Sequence, residues 1–172
     1  MIDSVNLLLN LEQSRQSLCR LLADIMLKKH CFLATAESCT GGMIAAACTD
    51  LAGSSQWFDS GFVTYSNAAK TDMLGVDAAL IAQFGAVSEQ VAVAMAQGAV
   101  KRSAAQVSVA VTGVAGPAGG SVEKPVGTVW IGWCVNGQTT TELCHFDGDR
   151  ATVRALTVQR ALQGLIERLQ SA

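Results

Sequence analysis

Leu7, Leu8, Leu11, Leu18, Leu21, Leu22, Ile25 and Met26 recur at a helical period with Glu12, Arg15 and Arg20 between them, which predicts an amphipathic helix over 4–28. CFLATA, 31–36, is instead a short apolar run closed by a polar turn, the pattern of a buried strand. The turn, AESCTGG, leads into the small-residue run Met43 to Ala52, rich in helix formers. WFDSGFVTYS, 57–66, alternates as a strand does, and NAAKTDMLGV predicts a short helix stopping at Gly75. A further helical segment spans 78–84, and Ser88 is a candidate N-cap for EQVAVAMAQGAVKRS, whose Val91, Met95 and Ala99 share one face.

VSVAVTG, 107–113, is the most strand-like run of the chain, and it ends at a glycine-rich loop, 114–127, that holds both prolines. TVWIGWCV and QTTTELCHF then flank Asn136-Gly137, a two-residue hairpin signal, because a type I′ turn needs positive φ at both central positions. That turn pairs Val135 with Gln138 and Val129 with Cys144, which sets Cys134 opposite Thr139 and disfavours a Cys134–Cys144 disulfide. A last amphipathic helix covers 150–170. The expected fold is a single domain, 1–172, an α/β three-layer α/β/α sandwich with a mixed, mostly parallel sheet of about five strands including one antiparallel hairpin.

Composition narrows the function classes. Half of the residues are apolar and 15% are charged, with a formal charge of −2. No basic run offers phosphate contacts, so no nucleic-acid partner is expected. No stretch reaches the ~20 apolar residues of a membrane span and no signal-peptide pattern opens the chain, so a cytoplasmic protein without a membrane partner is expected. Six scattered cysteines without a CxxC pair, and only two histidines, make a zinc set hard to assemble; no metal and no cofactor are expected. The apolar content leaves material for a subunit interface, and a homo-oligomer, in its simplest form a dimer, is expected.

If the early strands are parallel, three polar turns meet at their carboxyl ends: ESCTGG, YSNAAK and TGVAGPAGG. Ser38 is either the N-cap of the following helix or a nucleophile whose oxyanion the Cys39, Thr40 and Gly41 amides receive. Cys39 is a rival nucleophile. His30 lies at the wrong end of its strand and His145 near the end of the hairpin, so Lys70, if desolvated, is the better base; otherwise it is a solvated helix lysine. Tyr65 can orient Lys70 or a substrate ring, or simply mark a strand edge. Thr112, Gly113 and the glycines after them form a donor loop suited to a phosphate or carboxylate. The loop is neither a Walker motif nor a dinucleotide fingerprint. Arg150 and Arg154 on the first turns of the last helix can fork onto a phosphate or pair with Asp147 or Asp149.

AESCTGG, AGSSQWFDSGFVTYSNAAK, GAVSE, VTGVAGPAGGS, EKPVGTVW and FDGDR, in this order and spacing, resemble the CinA C-terminal domain family from Ala34 to the last helix. The resemblance implies a three-layer α/β/α fold. For the stand-alone members, the nicotinamide-nucleotide amidohydrolases, it implies hydrolysis of nicotinamide mononucleotide (NMN) to nicotinate mononucleotide and ammonia without a metal, in pyridine-nucleotide salvage. It further implies Ser38 as nucleophile, Lys70 as base, Tyr65 beside that lysine, Thr112 as the hydroxyl before the glycine-rich loop, and Arg150 as holding phosphate or ordering the site. Cys39 then serves chiefly through its backbone N–H. Ala118 stands where many relatives carry Asp. The activities of the N-terminal domain of longer CinA proteins are not implied. The rival from another class is a nucleotide-binding or regulatory module that keeps the pocket and lacks turnover.

Overall fold

The computed structural model describes residues 4–172. Along the chain run α1 (Ser4–Lys29), β1 (Leu33–Glu37), α2 (Met43–Thr49), β2 (Phe58–Val63), α3 (Asn67–Leu74), α4 (Ala78–Phe84), α5 (Glu89–Lys101), β3 (Val107–Gly113), β4 (Thr128–Val135), β5 (Gln138–His145) and α6 (Arg150–Ser171). The strands form one sheet in the order β2-β1-β3-β4-β5. β1 runs parallel to both β2 and β3, whereas β3–β4 and β4–β5 are antiparallel. The expected mixed sheet of five strands is present, but only two of its four pairings are parallel, so "mostly parallel" is corrected. The reason is the 114–127 loop, which carries no crossover helix and folds β4 back beside β3, with Gly113 opposite Val129. The β4–β5 register is the one the Asn136-Gly137 turn predicts, with Val135 opposite Gln138 and Cys134 opposite Thr139. All six cysteines are free thiols.

Side-chain alternation divides the core in two. Leu33, Val107, Val109, Val111, Val129, Ile131 and Trp133 pack with buried residues of α1, α2 and α6. Ala34, Ala36 and Ala110 point the other way, toward α3, α4 and α5. The second face is built from small residues because α5 lies close upon it. Ser108 Oγ donates to Ala96 O at 2.6 Å, and a Cβ on Gly132 would stand 2.8 Å from Ala92 O. No helix among the described residues is long and apolar enough to cross a membrane.

This topology creates one position of note. From β1 the chain passes through α2 to β2 on one side, then through α3, α4 and α5 to β3 on the other. The connections therefore diverge at the carboxyl end of β1, the switch point at which open α/β sheets leave a crevice. AESCTGG occupies it.

Candidate active site

The first glycine pair of the chain determines how the turn after β1 is made. Gly41 and Gly42 take φ of +61° and +100°, a left-handed conformation that a Cβ resists. The helix consequently begins only at Met43, with Gly42 as its N-cap and no side-chain cap bond. Ser38 is therefore not the cap, and α2 is also shorter than expected, ending at Thr49. The amides at its start go to the Glu37 carboxylate instead: Gly42 N at 3.1 Å, Ile44 N at 3.0 Å and Ala45 N at 2.8 Å.

Continued alternation turns Ser38 to the opposite side from Glu37, toward α3. There Lys70 is fully buried, 1% exposed, and its Nζ lies 3.0 Å from Ser38 Oγ. Nζ also donates to Thr64 O at 2.8 Å and Tyr65 O at 3.5 Å. Lys70 reaches inward because α3 is capped by Ser66, whose side chain accepts from Ala69 N, so the first turn of the helix presents position 70 to the sheet end. No ion pair among the described residues involves Lys70. Burial lowers its pKa. The solvated-lysine alternative is thus excluded by the fold.

Cys39 behaves oppositely. Its side chain is buried in the core shared with α2 and α6, and burial, with the Glu37 charge adding to it, pushes the thiol up to about 11. A thiol so placed holds almost no thiolate at neutral pH. We expect Cys39→Ala to keep kcat within roughly threefold of the parent and iodoacetamide to alkylate Cys39 slowly. Inactivation by iodoacetamide that Cys39→Ala reproduces would restore the thiol as nucleophile.

The peptide groups of the turn sort themselves by bonding. Gly41 N donates to Ser38 O at 3.1 Å, so this amide is committed and is not the free oxyanion donor expected of it. Arg154 holds the carbonyls from outside, with Nε 3.1 Å from Cys39 O and Nη2 2.8 Å from Thr40 O. Because a trans peptide points its N–H opposite its C=O, fixing Cys39 O toward Arg154 turns Thr40 N–H away from it. Among the described residues the N–H groups of Cys39 and Thr40 donate to no acceptor on another residue.

The remaining candidates surround a cleft of about 290 Å³ lined by Ser38, Cys39, Lys70, Tyr65, Thr112, Gly113 and Arg150, together with Asn67, Ala86, Val87 and residues of the 114–120 loop. Larger hollows lie elsewhere, but none contains this concentration of reactive groups. Thr112 Oγ1 donates to Ala86 O at 2.8 Å, tying the α4–α5 connection to the strand end. Gly113 is glycine because a Cβ would meet Thr128 O at 2.7 Å. Tyr65 does not orient Lys70 through its side chain. The ring is 60% exposed and its hydroxyl accepts from Arg150 Nη2 at 3.0 Å; only its backbone carbonyl faces Nζ. Arg150 Nη1 donates to Gly116 O at 2.8 Å, so this guanidinium bridges the mouth of the cleft. The two arginines are thereby distinguished: Arg150 lines the cleft, and Arg154 braces the turn. Asp149, one of the alternative partners offered for these arginines, instead caps α6, accepting from Thr152 N at 2.8 Å.

Sequence reasoning missed Glu37, Arg154 as a brace, and the apolar wall of Ala86 and Val87. Of these only Glu37 carried a signal, a carboxylate ending an otherwise apolar strand.

With this geometry in place, comparison with known proteins is informative. The family model of the CinA C-terminal domain matches residues 15–169. Nicotinamide-nucleotide amidohydrolase PncC of Pseudomonas putida is 56% identical over 133 residues, 77% of this chain and 83% of that protein. A CinA-like protein of Akkermansia muciniphila is 54% identical over 135 residues, but the match spans only 33% of that longer protein against 78% of this chain. Among solved structures, the competence/damage inducible protein CihA from Agrobacterium tumefaciens superposes with a TM-score of 0.88 at 47% identity, covering 91% of this chain and 96% of that one.

Proposed function

The chain belongs to the CinA C-terminal domain family, and from that membership and the buried Ser38–Lys70 pair we propose that residues 1–172 form a single amidohydrolase domain that converts NMN and water to nicotinate mononucleotide and ammonia. The reading follows relatives whose length this chain largely covers, such as the Pseudomonas putida amidohydrolase. It places the protein in the cytoplasm as a homo-oligomer, acting in pyridine-nucleotide salvage without metal or cofactor.

The observation that carries the mechanism is the 3.0 Å approach of Lys70 Nζ to Ser38 Oγ. A neutral amine has two hydrogens and one lone pair. Two carbonyls, Thr64 O and Tyr65 O, stand ready for the hydrogens, which leaves the lone pair to accept the Ser38 hydroxyl proton. Burial favours that neutral state. As Oγ attacks the carboxamide carbon, Lys70 takes the proton, and the Cys39 and Thr40 N–H groups receive the oxyanion. Lys70 then passes the proton to the departing nitrogen, and ammonia leaves behind an ester on Ser38. Water, deprotonated by the same amine, attacks the ester; collapse of the second tetrahedral species returns the proton to Oγ and releases the carboxylate.

The cleft suits the rest of the molecule. Ala86, Val87 and Val114 offer an apolar wall to the pyridinium ring, and Arg150 at the mouth offers a fixed cation to the phosphate. Purified protein incubated with NMN should release ammonia and nicotinate mononucleotide in equal amounts. Tight binding of NMN with neither product would support the non-catalytic module instead.

A further inference from the structure

Among the described residues, the mechanism above leaves one buried carboxylate without a task. Glu37 is 1% exposed and directly precedes the proposed nucleophile. Its two oxygens accept four hydrogen bonds: Oε2 from Thr40 Oγ1 at 2.6 Å, Gly42 N at 3.1 Å and Ile44 N at 3.0 Å, and Oε1 from Ala45 N at 2.8 Å. Every donor lies within the next eight residues, so the carboxylate closes a ring of contacts around Ser38, Cys39, Thr40 and Gly41.

Resting on the amidohydrolase reading, we infer that Glu37 is the positioning residue of this site, a carboxylate that clamps the turn so that Ser38 Oγ and the Cys39 and Thr40 N–H groups are held in their reacting arrangement. Three observations converge on the role. Adjacent residues at a strand end point to opposite faces, so Glu37 can grip α2 while Ser38 faces Lys70 without the two side chains competing for space. The first amides of α2 have no side-chain cap at Gly42, and the Glu37 carboxylate accepts from them instead, which ties the helix start to the strand end. The backbone of the turn is otherwise secured by its own Gly41 N–Ser38 O and Met43 N–Thr40 O bonds, from outside, and at its ends. Arg154 holds Cys39 O and Thr40 O, Ser38 N donates to Val111 O at 3.1 Å, and Thr64 N donates to Glu37 O at 2.8 Å. Glu37 supplies the inner half of the clamp.

The role predicts a particular kinetic signature. Glu37→Gln keeps size and shape, but one of its two terminal atoms becomes a donor facing Ala45 N or the group of three donors, so the clamp loosens without a large change in volume. Glu37 is not among the residues that line the cleft, so substrate binding is expected to be preserved while the reacting arrangement is not. We expect kcat to fall roughly 10- to 100-fold with KM within about threefold of the parent, and the pH at which kcat/KM rises to stay where it was, since Lys70 is untouched. Thr40→Val, which removes one donor and keeps the carboxylate, should show the same pattern with a smaller fall, and it carries the test if Glu37→Gln melts below the assay temperature. A parental kcat in folded Glu37→Gln, a raised KM at unchanged kcat, or a displaced pH profile would each overturn the positioning role. If the parent protein releases no ammonia from NMN, the amidohydrolase reading is what falls. Amide hydrogen exchange then decides the clamp separately: Gly42, Ile44 and Ala45 exchange at least about tenfold faster in Glu37→Gln if the clamp exists, and at parental rates if it does not.

Discussion

Ser38→Ala is expected to stop ammonia release from NMN while leaving the fold and substrate affinity in place. The size of the loss follows from what is removed. Without Oγ there is no ester intermediate, and the only remaining catalysis comes from substrate positioning and the Cys39 and Thr40 N–H groups. In enzymes whose nucleophile and base act as a unit, deleting the nucleophile costs roughly 10³- to 10⁶-fold in kcat, about 4–8 kcal/mol of transition-state stabilisation. Stability should hardly change, because Oγ is small, 9% of the residue is exposed, and its one side-chain partner is Lys70 Nζ. Lys70 keeps Thr64 O and Tyr65 O in the variant. The measurement is a pair: steady-state ammonia release, and NMN binding by calorimetry to the same preparation. A folded Ser38→Ala protein that binds NMN and retains parental turnover would remove serine catalysis altogether. Loss of turnover together with loss of NMN binding would assign Ser38 to recognition rather than to the reaction.

Which parts of this arrangement can be read along the chain depends on the range of the contacts involved. The β4–β5 register is set by the conformation that Asn136-Gly137 demands, and it is legible residue by residue. The helix cap at Ser88 is local in the same sense. The antiparallel placement of β4 against β3 is not legible, since the 114–127 loop reveals no direction of return. Within the site, the turn positions of Ser38 and Lys70 are legible as ends of strands and starts of helices, but their meeting depends on β1 and β2 being parallel neighbours. The clearest misreadings involve the longest separations. Tyr65 meets Arg150 across 85 residues and Arg154 meets Cys39 across 115, and nothing near either arginine indicates which one enters the cleft. The N-cap alternative for Ser38 fails for a different reason: Gly41 and Gly42 delay the helix, so the side chain that serves its first amides is Glu37, before the turn, rather than Ser38 within it.

Lys70→Met should be as damaging to turnover as the serine variant and should at the same time reveal the electrostatic cost of the site. Methionine fills a similar space but cannot accept the Ser38 proton, so kcat should fall by about 10³-fold or more. The parent kcat/KM should rise with pH through the lowered lysine pKa and then level. Lys70→Arg should be inactive at every pH, because a guanidinium does not give up its proton in a protein; a parental pH–rate profile from that variant would exclude lysine as the base. Stability supplies an independent reading. An unfolded chain keeps the lysine proton up to about pH 10.4, whereas burial lowers the folded value. Below the unfolded value the unfolded state therefore holds protons that the folded state resists, and folding is penalised. This penalty is absent above about pH 10.4, grows as the pH falls toward the folded pKa, and is constant below it. Methionine carries no such penalty, although it leaves Thr64 O without its donor, an offset that does not titrate. The melting temperature of Lys70→Met, relative to the parent, should accordingly climb as the pH is lowered from about 10.5 toward neutrality and then stop changing. A difference between the two proteins that stays flat across that range would show that Lys70 is not held toward its neutral form in the folded state, and the general-base assignment would fall with it.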